Sequence, residues 1–265
     1  LSANHGGDLN IAKKTILSAF KAGADAIKLQ TYTPDTITLN SDKSYFKIKQ
    51  DTIWDGQTLY NLYQKAYMPW EWQKKLKNYA DEIGIMLFSS PFDLTAVDFL
   101  EDLNIAIYKI ASFEINDIPL IKYTASKQKP IIISTGIATY DDIKLAVQTC
   151  KDAGNNDITL LKCTSAYPAP IEEANLLSIP DLAKEFNVKV GFSDHTSGIT
   201  ASIVAVSLGA KIIEKHFILN KNISSPDNSF SLDPSEFRAM VLGIRDAEKL
   251  LGKISYKLTQ KTEKT

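Results

Sequence analysis

Short β-rich apolar runs alternate with helix-patterned stretches along the whole chain, and this rhythm restricts the fold more than any other feature. Strands are expected at 25–31, 85–89, 105–110, 130–134, 158–163, 188–193 and 211–216, with 1–3 counted as the end of a first one. Helical periodicity fills the intervals. Ala12, Ile16, Ala19 and Phe20 share one face of a helix over 8–22, which Gly23 ends. Trp72, Leu76, Ala80 and Ile83 do the same over 70–83, closed by Gly84, and Ala96, Phe99, Leu100 and Leu103 mark the next helix. Further helices are expected at 118–127, 140–153, 179–186 with Ser178 as N-cap, 199–208 and 234–251. The last has Asp233 as N-cap, Pro234 in its first position and Glu236 completing a capping box.

Eight βα units in 265 residues match the arithmetic of an α/β fold of the (β/α)8 TIM-barrel type, for which about 250 residues is typical. A doubly wound open sheet is the alternative, but no Gly-rich phosphate turn follows an early strand. One stretch breaks the rhythm: 32–67 is long, polar and dotted with aromatics, an insertion with a short helix at 57–65. The barrel is expected over 1–252, with a Lys- and Thr-rich linker tail at 253–265.

The 30 Lys and Arg against 31 Asp and Glu give a formal charge of −1 and no reason to expect nucleic acid or a membrane surface as partner. No apolar run reaches the roughly 18–20 residues of a bilayer span. Two cysteines, Cys150 and Cys163, fit a reducing, cytoplasmic compartment. The chain opens on Leu1 rather than Met, so residues are expected upstream. The triplet Asn222-Ile223-Ser224 reads as a chance match to a glycosylation pattern, and Trp54, Trp70 and Trp72 as packing residues.

In barrels of this kind the C-terminal strand ends build the active site. Here polar residues follow the apolar runs in turn: Asn4 and His5; Lys28 and Gln30; Ser89 and Ser90; Lys109, Ser112 and Glu114; Ser134 and Thr135; Lys162, Thr164 and Ser165; Ser193, Asp194 and His195; Lys215 and His216. Strands end at water in any protein, but all three histidines of the chain fall at such positions. His195 and His216 end neighbouring strands, so they can converge on one metal ion or serve as hydrogen-bonded structural residues. Asp194 is a ligand or a supporting group, although strand alternation points it the other way. Lys28 and Lys109 sit inside apolar strands, where a lysine needs an anion. That anion is either a carboxylate such as Glu114 or a small substrate held with help from Ser90, Ser112, Ser134 and Ser193. Lys162 raises a Schiff-base reading, and Cys163 reads as a buried small hydrophobe.

The runs NHGG (4–7), IKLQTY (27–32), FSSPFD (88–93), YKIASFE (108–114), ISTGIAT (133–139), LLKCTSAYPAP (160–170), GFSDHT (191–196), EKHF (214–217) and SPDNSFSLDP (225–234) together resemble the sialic acid synthases over essentially the whole chain. Within that family, YTPDTITLNSD (32–42) and WDGQTLYNLYQKAY (54–67) look most like the pseudaminate branch, with the neuraminate and legionaminate branches as alternatives. The resemblance implies condensation of phosphoenolpyruvate with an N-acetylated amino sugar, 2,4-diacetamido-2,4,6-trideoxy-altrose in the pseudaminate branch. It implies a divalent metal on His195 and His216, with Mn²⁺ expected and Mg²⁺ or Co²⁺ as alternatives. It places Lys28, Ser90, Lys109, Ser112, Ser134 and Ser193 around the phosphate and carboxylate of phosphoenolpyruvate. Ser165 stands where the neuraminate branch has Asn, and Ser90 where it has Thr. Gln30, Tyr167 and Asp227 match sugar-side or supporting positions, and Glu114 an acidic residue near the reacting carbons. Members carry a Glu just before the Asn-His pair, here upstream of Leu1, and an antifreeze-like domain after the barrel through which they form homodimers. A Schiff-base aldolase using Lys162 and a non-catalytic barrel are the competing readings.

Overall fold

A computed structural model describes residues 1–49, 55–223, 225 and 227–257. Trp54, Ser224 of the Asn222 triplet and residues 258–265 of the tail lie outside the described residues. Seven strands form one parallel sheet in chain order: β1 (Ala26–Thr31), β2 (Met86–Pro91), β3 (Tyr108–Ile110), β4 (Ile131–Ser134), β5 (Ile158–Cys163), β6 (Lys189–Asp194) and β7 (Ile212–Lys215). Helices α1 (Leu9–Ala22), α2 (Pro34–Ile37), α3 (Leu59–Ala66), α4 (Trp70–Ile83), α5 (Leu94–Asp102), α6 (Ile118–Ser126), α7 (Tyr140–Asp152), α8 (Ser178–Phe186), α9 (Thr200–Ser207) and α10 (Pro234–Leu251) complete the fold. None of them is long and apolar enough to cross a membrane.

The order β1 to β7 without a switch point is that of a curled barrel wall rather than a doubly wound sheet, in which strand order reverses. The expected first strand at 1–3 does not form, because the chain turns there instead of running along an edge. The Leu1 amino group donates to the Lys28 carbonyl at 3.0 Å, while Asn4 Nδ2 reaches the Phe217 carbonyl beyond β7 at 2.9 Å. The opening residues thus touch both ends of the sheet without joining either ladder. At the same gap, the side chains of Lys28 on β1 and Glu214 on β7 form an ion pair.

Most elements lie where periodicity puts them, and local chemistry explains their ends. Asp8 caps α1 through Asn10 N and Ile11 N, and Gly23 closes it at φ 98°, a conformation costly for any residue with a Cβ. The capping box of α10 forms as expected, with Asp233 and Glu236 each bonded to the other's backbone N–H. Ser178 is not a cap: it is already the first residue of α8, and no side chain caps that helix. β3 is shorter than the apolar run at 105–110, since only Tyr108–Ile110 pair with β4. The insertion carries α2 as well as the expected helix, which appears as α3.

The outer face of the sheet packs on the helices through a core that includes Val97, Leu100, Tyr108, Ile121, Ile131, Leu160 and Phe192. A side chain of this kind contributes about 1.5–3 kcal/mol when fully buried. The inner face has its own smaller cluster of Phe88, Ile132 and Leu161, flanked by Ala26, Ile107 and Ile212. This apolar floor fixes the position of the site above it.

Candidate active site

Strand side chains alternate, so the residue two beyond each floor residue points to the same side and one layer higher. Two beyond Ala26, Phe88, Ile107, Ile132 and Ile212 are Lys28, Ser90, Lys109, Ser134 and Glu214. Two beyond Leu161 and Gly191 are Cys163 and Ser193, which pair directly across β5 and β6. A further step of two gives Gln30, Ser165, His195 and His216. The inside of the curl therefore passes from an apolar floor to a ring of charged and hydroxyl groups, and then to a histidine-bearing rim.

A cavity of about 460 Å³ extends from there to Ala19, Val241 and Ile244 on the outer helices α1 and α10. Lys28, Gln30, Lys109, Ser112, Ser134 and Ser193 line it, and Tyr167, His195, His216 and Asp227 bound it on one side. Lys109 is only 1% exposed and donates to Ser134 Oγ at 2.6 Å and to the Ile110 carbonyl at 2.8 Å. Burial pulls its pKa down to about 8. It has no ion pair with Glu114 among the described residues. The carboxylate that answers the lysines is Glu214, which accepts from Lys28 and, at 3.3 Å, from Ser193 Oγ. Burial opposes ionisation of Glu214, but Lys28 and Lys109 hold its pKa far below the usual carboxylate range. Sequence reasoning missed Glu214 as a site residue. Its signal was the spacing of two from His216, which places both on one face of β7.

Glu114 follows β3 in a short 3₁₀ turn with Ser112. Burial raises its pKa to about 7, and its Oε2 is buried without a partner. Ser90 Oγ and Ser165 Oγ are likewise buried and unpartnered. Gly136 lets this corner exist: a Cβ there would lie 2.1 Å from Ser165 Oγ and 2.8 Å from Ser112 Oγ. The Gly136 amide instead donates to Ser112 Oγ at 3.2 Å.

The rings of His195 and His216 lie 5.3 Å apart, with Tyr167 4.5 Å from His195 and Phe230 4.9 Å from His216. His195 Nδ1 sits 3.0 Å from the Thr164 carbonyl and 3.6 Å from Cys163 Sγ. His216 Nδ1 contacts Asp227 Oδ2 at 3.3 Å. Burial lowers the His216 pKa, favouring the neutral ring. Burial works against the Asp227 charge, but His216 brings its pKa to about 2. No hydrogen bond to either Nε2 is present among the described residues. Burial works against a charge on His195 as well, but Cys163 and the Thr164 carbonyl raise its pKa. With both rings neutral, two imidazoles that each keep Nδ1 on a protein partner form a donor set suited to a divalent cation. No group of three or more His, Cys, Asp or Glu able to hold a metal occurs among the described residues.

Two sequence expectations need correction. Lys162 lies one residue out of phase with Leu161 and Cys163, so it faces away from the ring, with Nζ on the Cys163 carbonyl at 2.9 Å. The Schiff-base reading loses its geometry. Cys163 is buried as expected, yet the fold sets it against His195, which lies 32 residues away in sequence. Asp194 faces outward, as alternation implied, and pairs with Lys215.

A sequence model described as the NeuB family matches residues 15–256. The chain is 50% identical over 262 residues to the pseudaminic acid synthase of Helicobacter pylori, covering 99% of this chain and 77% of that protein. It is 41% identical to the N,N'-diacetyllegionaminic acid synthase of Campylobacter jejuni, covering 94% of this chain and 75% of that protein. The crystal structure of the N-acetylneuraminic acid synthetase of Leptospira borgpetersenii superposes with a TM-score of 0.87 at 30% identity, over 99% of this chain and 86% of that one.

Proposed function

This chain belongs to the NeuB family, and on that footing we propose that it condenses phosphoenolpyruvate with an N-acetylated amino sugar and water, giving a nonulosonic acid and phosphate. The sugar is 2,4-diacetamido-2,4,6-trideoxy-altrose and the product pseudaminic acid. The higher identity to a pseudaminic acid synthase than to a legionaminic acid synthase supports that choice, legionaminate and N-acetylneuraminate being the alternatives. One structural observation carries the reading: buried Lys109 shares its layer with serine hydroxyls, while Ser90 Oγ and Ser165 Oγ have no protein partner. An unsatisfied buried polar group costs about 1–3 kcal/mol, which a polyanionic ligand bearing many acceptors relieves.

In this reading Lys28 and Lys109, with the hydroxyls of Ser90, Ser112, Ser134, Ser165 and Ser193, bind the phosphate and carboxylate through charge-assisted hydrogen bonds. Lys28 exchanges its ion pair with Glu214 for the substrate. Gln30, Tyr167 and Asp227 hold the open-chain sugar with its aldehyde carbon against C3 of phosphoenolpyruvate. The C3–C bond forms, C2 gains positive charge and water adds there. The tetrahedral adduct then breaks its C2–O bond to phosphate, its C2 hydroxyl becoming the ketone and giving its proton to the former aldehyde oxygen, left anionic when the C–C bond formed. Glu114 takes a proton from the attacking water and passes it to the departing phosphate. A divalent cation on His195 and His216, Mn²⁺ by expectation and Mg²⁺ or Co²⁺ as alternatives, supplies Lewis acidity toward the aldehyde oxygen when bound. The same reading closes residues 1–252 as a (β/α)8 barrel, which the ion pair between β1 and β7 supports, and makes the protein a cytoplasmic homodimer.

The test is phosphate release by the natural full-length protein from phosphoenolpyruvate, with a panel of acetamido sugars and with Mn²⁺ or chelator. Release should need both substrates, run fastest with the diacetamido trideoxy-altrose, and fall to background with chelator or in His195→Ala. Release without any sugar, or undiminished turnover in the chelator arm, would overturn the reading.

A further inference from the structure

The outer face of the sheet, directly behind the histidines, holds an ion pair between Asp194 Oδ2 and Lys215 Nζ at 3.0 Å, with both side chains 0% exposed. Asp194 and Lys215 are direct partners on the last rung of the β6–β7 ladder. His195 and His216 directly follow the two strands, and by alternation they point to the opposite face. The pair therefore stands at the point where the strands stop being held by their ladder and the histidines begin.

Its surroundings are fully engaged. Asp194 Oδ1 accepts from Thr196 N at 2.8 Å and Thr196 Oγ1 at 2.7 Å, and Oδ2 accepts from Ser202 Oγ of α9 at 2.7 Å. Lys215 Nζ also donates to the Thr196 carbonyl. Thr196 is thus held by its amide, hydroxyl and carbonyl, which fixes the backbone on the far side of His195. Loops complete the frame from inside: Ala169 N donates to the His195 carbonyl and Leu232 N to the His216 carbonyl, each at 2.9 Å.

A buried ion pair is a poor source of net stability, because desolvating two charges offsets their attraction. It is a good source of geometry, since both charges must stay at one separation. We infer that Asp194 and Lys215 are positioning residues that set the spacing of His195 and His216, and so the affinity of the site for a divalent cation. The inference rests on the proposed role of that histidine pair.

Mn²⁺ binding, read by calorimetry or electron paramagnetic resonance on the natural full-length protein, tests it beside thermal melts. Lys215→Met should weaken Mn²⁺ binding at least tenfold and also lower the Tm. The apolar double variant Asp194→Leu/Lys215→Met should recover Tm relative to Lys215→Met without recovering Mn²⁺ affinity. A core change elsewhere on the outer face, Val97→Ala on α5, should lower Tm with Mn²⁺ binding unchanged. If the pair variants do not fold, Ser202→Ala decides: Mn²⁺ binding a few-fold weaker supports the inference. Wild-type affinity in a folded pair variant, or in Ser202→Ala, overturns it while leaving the metal site intact. Mn²⁺ binding that survives in His195→Ala/His216→Ala overturns the histidine site and this inference together.

Discussion

Glu114 and Lys109 titrate on either side of neutrality, and their opposite roles fix the direction of each pH limb. Glu114 must be ionised to accept a proton from water, and its pKa is raised to about 7 by burial. Lys109 must be protonated to hold an anion, and its pKa is lowered to about 8 by burial. Then kcat/KM for phosphoenolpyruvate should rise with pH through about 7 and fall through about 8, giving a narrow bell. Glu114→Gln should remove the rising limb and lower kcat by roughly 10²–10⁴-fold, the usual contribution of a positioned proton carrier. Lys109→Arg should move the falling limb upward, because a guanidinium keeps its proton. A pH–rate profile of the three proteins checks both limbs, and an unchanged rising limb in Glu114→Gln would remove Glu114 from the proton path. At this scale the sequence announced most of the site, because lysines and serines ending apolar runs are conspicuous. What it could not supply was pairing. Nothing in the spacing tells Glu114 from Glu214 as the partner of a buried lysine, or joins Cys163 to His195, until the strands are set side by side.

Among the elements, the strands carry the site through their period of two, and one glycine controls how closely two of them approach. A Cβ on Gly191 would meet the Ile212 carbonyl at 2.4 Å and Leu161 Cδ2 at 2.6 Å. Gly191→Ala should therefore push β7 away from β6 and displace Leu161 from the floor. Overpacking of this kind typically costs 1–3 kcal/mol, and a denaturation midpoint measured beside wild type reads it. The floor supports Ser193 and Glu214, so KM for phosphoenolpyruvate should rise in the same variant. Helices and strands were legible where apolar period and end signals agreed, as at Asp8 and Gly23 for α1 or Asp233 and Glu236 for α10. They were less legible where an end depends on contacts from elsewhere. Ser178 looks like a cap, but the turn before it is already helical at Leu177. The run at 105–110 is apolar throughout, but only its last three residues find a partner strand.

For the whole molecule, the question is what holds the two ends of a curled sheet together. Alternation predicted seven of the strands, but the eighth expected at 1–3 does not form, because a three-residue segment has too little pattern to assign its neighbours. The central strands pair on both sides, whereas β1 and β7 meet across a gap bridged by Lys28 and Glu214. Their side chains are 21% and 16% exposed, so water screens the pair only partly. Glu214→Gln leaves the Lys28 ammonium half-buried without its counter-charge. Breaking a fully buried pair costs about 3–5 kcal/mol, so a loss nearer 1–3 kcal/mol is expected here. That loss should be local, since the bond spans the gap and not the ladders. In hydrogen exchange, amides of β1 and β7 should lose protection in Glu214→Gln while those of β4 and β5 keep theirs. Equal acceleration across all seven strands would instead mean that the sheet opens as one unit and that the ion pair has no special part in joining its ends. Phosphoenolpyruvate, if it takes Lys28 from Glu214 as proposed, should shift exchange in these same two strands first, so ligand and mutation can be compared on one map.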